Sequence, residues 1–207
     1  MLFLVLANGV IATDSVTKVQ KFSENDTYFC YFCSWFPFTV SIMSLHVHIL
    51  KPFDHHNEQQ LLDEVATVIR NAVGATTALL VSQFEAEGVV FPALLVTPQG
   101  VVGLQLLPYG GEISAETNGE WTADGHVVRC PSMTTTPVAR ARQLVRSTSH
   151  LCKSWTAGRC LPKTAVWMVF PDEAVFRSSA TESVPQGSQL LHVADLGGVL
   201  SEWLTQE

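Results

Sequence analysis

Apolar positions recur along this chain with two periods, and those periods divide it into elements. Leu61, Leu62, Val65, Val68, Ile69, Ala72 and Val73 fall on one stripe of period 3.6, the signature of a helix with one buried face. That helix, "NEQQLLDEVATVIRNAVG", is expected to start at an Asn57 cap, with Gln60 closing a capping box, and to stop at Gly74. Before it, "LHVHILKPF" alternates as a strand does. After it, "TTALLVSQFEAEG" reads as a strand running into an acidic turn, and "VVFPALLVT" as a second strand. Pro92 lacks the N–H that a ladder needs, which marks its position as an edge or a bulge.

"GVVGLQLL" is apolar at nearly every position, as in a strand buried on both faces. The spacing places 101–107 centrally, covered by helices over 57–73 and 137–155. "GEISAETNGEW" reads as a fourth strand with a turn at Asn118-Gly119. Pro137 suits the first turn of the second helix, whose apolar side is Val138, Ala141, Leu144, Val145, Leu151 and Cys152. "TAVWMVFP" and "SQLLHVADL" are further strands, and "LGGVLSEWL" is a terminal helix. The order predicts an α/β domain: a mixed central sheet flanked by helices.

Residues 1–42 lack this regularity. "MLFLVLANGVIA" is apolar without the basic flank of an export signal. "YFCYFCSWFPFTVSIM" is broken by Pro37 and falls short of the ~20 residues a membrane helix needs. The abrupt change at Met43 leads to the expectation that the folded unit is 43–207 and that Met43 is the working start. The alternatives are an irregular extension or a weak hydrophobic anchor. The expected location is accordingly the cytoplasm, or the membrane surface if the N-terminal segment acts as an anchor. Asn25-Asp26-Thr27 fits a glycosylation sequon, which matters only in a secretory context.

Composition narrows the function classes. Of 207 residues 47% are hydrophobic and 15% charged, enough apolar material for one substantial core. Twelve basic against nineteen acidic side chains leave a net charge of −7. Sequence-independent binding of nucleic acid over the whole surface is therefore excluded, because it works by neutralising phosphates with Lys and Arg. Arg140, Arg142 and Arg146 form a local basic stripe, continued by Lys153. This is either the wet face of a helix or a contact for nucleic acid or an acidic partner. Five cysteines form no disulfide framework. The Cys30-x-x-Cys33 pair has no second pair at zinc-binding spacing, and His55-His56 is read as a loop or helix-entry pair.

The order of landmarks over most of 57–200 resembles the nuclease-related domain (NERD) family, a branch of the PD-(D/E)XK nuclease-like superfamily. Where that family opens a helix with Gly-Glu, this chain has Asn57-Glu58. "FPALLVTPQGVVGLQLL" stands at the family's strand, turn and "GVFVIEVK". "GGEISAETNGEW" fits its "GxIxxxxxGxW", and Thr136-Pro137 stands where Asn-Pro starts a helix. "VWMVFPD" and "LLHVADLGGVLSEWL" are similar to its closing strands and helix. The resemblance implies a restriction-endonuclease-like core and, in the family's active members, Mg²⁺-assisted phosphodiester hydrolysis.

The departures fall on the chemistry. The family's metal-binding Asp corresponds to Pro92, and the Glu and Lys of its Glu-x-Lys pair to Gln105 and Leu107. Glu58 alone remains of the usual ionisable set. Mg²⁺ seeks hard anionic oxygen ligands, and it lowers the pKa of a bound water. Proline supplies no side-chain oxygen, glutamine only a neutral carbonyl, and leucine neither charge nor donor. The expectation is a catalytically inactive nuclease relative that binds or scaffolds an unknown protein or nucleic acid and needs no cofactor. The alternative is a Mg²⁺-dependent nuclease with a relocated carboxylate site, for which Asp63, Glu64, Glu85, Glu87 and Glu112 are candidates. Gln105 is expected to bond backbone, and Trp121 to pack.

Overall fold

The computed structural model describes residues 10–11, 20–21, 45–74, 76–86, 88–116, 120–131, 135–156 and 162–205. The boundary at Met43, the Cys30–Cys33 pair, the Asn25 sequon, Glu87 and the Asn118-Gly119 turn lie outside these residues. In the N-terminal segment β1 (Val10–Ile11) pairs antiparallel with β2 (Gln20–Lys21).

From residue 45 onward the elements are β3 (Leu45–Ile49), α1 (His56–Val73), β4 (Ala78–Ala86), β5 (Val89–Thr97) and β6 (Gly100–Leu106). There follow β7 (Gly111–Ala115), β8 (Trp121–Ala123), β9 (His126–Val127) and α2 (Pro137–Thr156). The chain closes with β10 (Lys163–Phe170), β11 (Ala174–Phe176), α3 (Ser178–Glu182), β12 (Ser188–His192) and α4 (Leu196–Thr205). The central sheet has six strands in the order β12-β10-β6-β5-β4-β3. β4, β5 and β6 run antiparallel to their neighbours in that trio, whereas β6, β10 and β12 are parallel, as are β3 and β4. The fold is thus α/β with a mixed sheet, as the periodicity predicts.

Alternation along the strands builds a core on each face. Leu80, Leu95, Val102 and Leu104 pack with Leu62, Val65 and Ile69 of α1 and Leu200 of α4. Leu79, Leu94, Val101 and Val166 pack on the opposite face with Leu144 and Leu151 of α2. Every residue of β6 is buried between these two layers. Gly74 ends α1 with φ 55°, a conformation that suits glycine. The expected cap is not formed: the N-cap falls two residues earlier, at His55, with no side-chain cap bond. Asn57 is already inside the first turn, and Gln60 donates instead to Glu64, 3.2 Å away.

Pro92 also differs from expectation. β5 is an interior strand, and Pro92 lies in a gap in its ladder. The pairs Ser82↔Ala93 and Phe84↔Phe91 bracket it, leaving Pro92 opposite Gln83, whose φ is 52°. The face pattern slips across this gap. Ala93 packs on the α1 side, while Phe91 and its partner Phe84 pack on the α2 side.

"GEISAETNGEW" does not extend the central sheet. It supplies β7 and the start of β8, in a second sheet of four strands ordered β11-β7-β8-β9. Gly111, at φ +77°, turns the chain out of β6, and a Cβ there would lie 2.0 Å from Asp124 Oδ2. Asp124 uses that space to accept a 2.8 Å hydrogen bond from the Glu112 N–H. This small sheet closes over a third apolar cluster containing Leu107, Ile113, Met168 and Phe170. Trp121 packs there as expected, stacked on Phe170 at 6.1 Å and donating to Ser183 Oγ at 2.9 Å.

Candidate functional site

The C-terminal end of β6 brings together the N-terminal turns of α1 and α2. Glu58, Gln105 and Arg140 meet in this region, and each is at most 3% exposed. Gln105 is adjacent to Pro92 across the strands, just past the last paired residues, Ala93↔Leu104. Its Nε2 donates to the Pro137 carbonyl at 3.2 Å and to Cys130 Sγ at 3.4 Å, and its Oε1 has no hydrogen-bond partner. The backbone bond is the one expected for Gln105; the thiol partner was not foreseen. Leu107 is wholly buried in the third apolar cluster. Its side chain packs on apolar neighbours, with Ile113, Met168 and Phe170 among that cluster.

Arg140 corrects the sequence-based stripe. It is interior, and its Nη groups donate to the Val90 carbonyl and to Gln143 Oε1, while Nε has no hydrogen-bond partner. Burial works against its charge, and the neighbouring Cys130 partly offsets this. Burial likewise pushes the Cys130 thiol up. Hydrogen bonds from Thr135 and Gln105 and the Arg140 charge ease that shift, and the Glu58 charge adds to it. The Tyr109 hydroxyl, donating to the Arg129 carbonyl at 2.6 Å, is also raised, first by burial and further by the Cys130 and Glu58 charges. These electrostatic couplings place Glu58, Tyr109, Cys130 and Arg140 in one neighbourhood.

The donors gathered here are a poor match for Mg²⁺, which prefers several anionic oxygens. Pro92 and Leu107 offer none, and Gln105 offers a neutral amide. The other candidate carboxylates stand elsewhere. Asp63 and Glu64 lie on the exposed side of α1, accepting from Gln59 and Gln60. Glu85 is exposed near the end of β4. Glu112 is exposed on β7 and pairs with Arg177, whose hydrogen bond holds its carboxyl below the usual range. Among the described residues no group of three or more His, Cys, Asp and Glu side chains is placed to hold a metal ion.

Arg142 and Arg146 are separated from Arg140 by the turn of the helix. Both are exposed and line an open groove of about 790 Å³ beside α2. The residues that sequence reasoning missed are Tyr109, Cys130 and Thr135 at the buried site and Glu182 to Gln186 on the groove. Cys130 lies 25 positions from Gln105, and no local pattern signals so distant a pairing. No helix among the described residues is long and apolar enough to cross a membrane. Comparison of the chain with models of known protein families, with curated proteins and with solved structures gives no match.

Proposed function

We propose that this chain is a nuclease-related domain of the NERD type that has lost metal-dependent catalysis and serves as a binding or scaffolding module. The observation that carries the reading is the fate of the three chemistry positions. Pro92 has no donor oxygen, Gln105 spends its amide on Pro137 and Cys130, and Leu107 is sealed in an apolar cluster. The order of elements supports the kinship. Helix α1, strands β5 and β6, helix α2, strands β10 and β12 and helix α4 follow one another as the resembling landmarks do. A restriction-endonuclease-like core belongs to this same proposal. We place the protein in the cytoplasm, a reading supported by Cys130 and Cys152, which form no disulfide among the described residues and so suit a reducing compartment.

Incubation of the purified full chain with single- and double-stranded DNA and Mg²⁺ or Mn²⁺ tests the proposal. No cleavage above a metal-free control is expected. Reproducible metal-dependent cleavage, abolished by Glu58→Ala or Glu85→Ala, would favour a nuclease with a relocated site.

A further inference from the structure

Between α2 and the loop joining α3 to β12 runs a groove in two adjoining parts. Its outer part encloses about 790 Å³ and its inner part about 360 Å³, and Val145 and Gln186 line both. Gly187 lets the loop come this close to α2: its φ is +83°, and a Cβ would lie 3.2 Å from Val145 Cγ1. The floor is partly apolar, with Val138, Val145, Val184 and Pro185.

Among the described residues the side chains of Arg142 and Arg146, one helical turn apart on the rim, make no ion pair or hydrogen bond with another side chain or the backbone. Residues at this spacing point the same way from a helix. A guanidinium presents a planar fork of donors that matches a carboxylate or phosphate in bidentate fashion. The inner end adds a second, independent feature. Thr148 lines it, is wholly buried, and has an Oγ1 with no hydrogen-bond partner. That hydroxyl lies over Gly103, where a Cβ would stand 3.0 Å from it. Ser149 and Thr164, hydroxyl to hydroxyl at 3.4 Å, line the same end.

Two anionic partners fit a pair of arginines, a phosphodiester strand and an acidic peptide, and the other wall separates them. Glu182 stands there. A nucleic-acid strand carries charge at every unit and would run it past Glu182, on a chain whose net charge is already −7. Its affinity also grows with the number of cations it meets, and among the described residues no aromatic side chain lines the groove for base stacking. A peptide places its charges only where acidic residues stand and can lay apolar side chains on the valine floor. We infer that the groove along α2 binds an acidic peptide segment of a partner protein, with carboxylates on Arg142 and Arg146 and an apolar side chain on Val138, Val145 and Val184. The inference rests on the reading of this domain as a binding module.

Fluorescence anisotropy at low ionic strength, where exposed charges are least screened, tests it on the full chain. The probes are a labelled dodecapeptide alternating Glu and Leu, its counterpart alternating Gln and Leu, and a thymidine oligonucleotide of equal length. The Glu peptide is expected to bind, and the Gln peptide and the oligonucleotide to bind at least about tenfold more weakly. Losing one charge-assisted contact costs about that factor or more. The double variant Arg142→Gln/Arg146→Gln should lose the Glu peptide by about 100-fold or more and keep the wild-type melting temperature. Failure of the Glu peptide to bind, binding undiminished in the double variant, or preference for the oligonucleotide would each overturn the inference. Metal-dependent DNA cleavage by the same preparation would instead overturn the binding-module reading, so the two failures are distinguishable.

Discussion

The end of β6 and the groove along α2 are both built from polar and charged side chains, but they manage those groups in opposite ways. At the end of β6, Glu58, Gln105 and Arg140 are buried, and the hydrogen bonds of Gln105 and Arg140 run to backbone carbonyls, a thiol and the Gln143 amide of the protein itself. Along α2, Arg142 and Arg146 are exposed and face open space. Burial of polar groups without full pairing is costly, and atoms at the first region, Gln105 Oε1 and Arg140 Nε among them, carry that cost. Exposed, unpaired arginines carry little. Ionisable residues at a landmark position therefore need not mean chemistry, and the more permissive place for a ligand is the one the landmarks did not mark.

The largest effect expected separates the core from both regions. Leu104 is fully buried on the α1 side of β6. Leu104→Asp would place an unpaired carboxylate there, and the domain is expected to lose native circular dichroism and cooperative melting. A native-like melting curve would show that β6 is not central to stability.

The next prediction puts the two regions side by side. Arg140→Ala removes the donor to the Val90 carbonyl and opens a cavity, for an expected loss of about 2–4 kcal/mol in urea unfolding. Arg142→Ala, two residues away, is expected to stay within about 0.5 kcal/mol of the parent. Equal effects at the two positions would erase the contrast.

How much of this was legible follows from element length and from position. The stripe on α1 and the apolar run of β6 span enough residues for a period to show, and both appear where expected. β9, β11 and α3, at two, three and five residues, are too short to carry one. Arg140 was misplaced because its charge outweighed its position. It stands four residues before Leu144, itself four before Thr148, and all three are buried on one line of α2. Spacing alone would have put it inside, whereas residue type put it outside. At the end of β6, Pro92, Gln105 and Leu107 were singled out only through the resemblance. Cys130 was not legible, because it follows β9 of the second sheet, and Tyr109, in the loop after β6, was not because its partner Arg129 is 20 positions away.

A smaller effect concerns pH. Burial pushes Cys152 from 9.0 to about 11, and Cys130 and Tyr109 move in the same direction. An acid whose folded pKa is raised keeps its proton in the native state while the unfolded chain ionises. Its contribution is intact below pH 9 and is lost as pH rises towards 11. Chemical denaturation between pH 8 and 11 should show stability falling by up to about 2 kcal/mol from Cys152, and Cys152→Ala should flatten that part of the slope. A slope unchanged by the substitution would mean that the thiol is better solvated than its burial implies.

The central proposal is that the end of β6 holds an internal hydrogen-bond cluster in place of the metal site that the resemblance implies. Isothermal calorimetry with Mn²⁺ tests it most directly, on the parent chain and on Gln105→Glu, which places a carboxylate where the resemblance implies one. Neither protein is expected to bind Mn²⁺ at the end of β6, because Pro92 and Leu107 still supply no ligand, and Gln105→Glu should be less stable than the parent. Stoichiometric Mn²⁺ binding by the parent chain, lost in Glu58→Ala, would contradict the account.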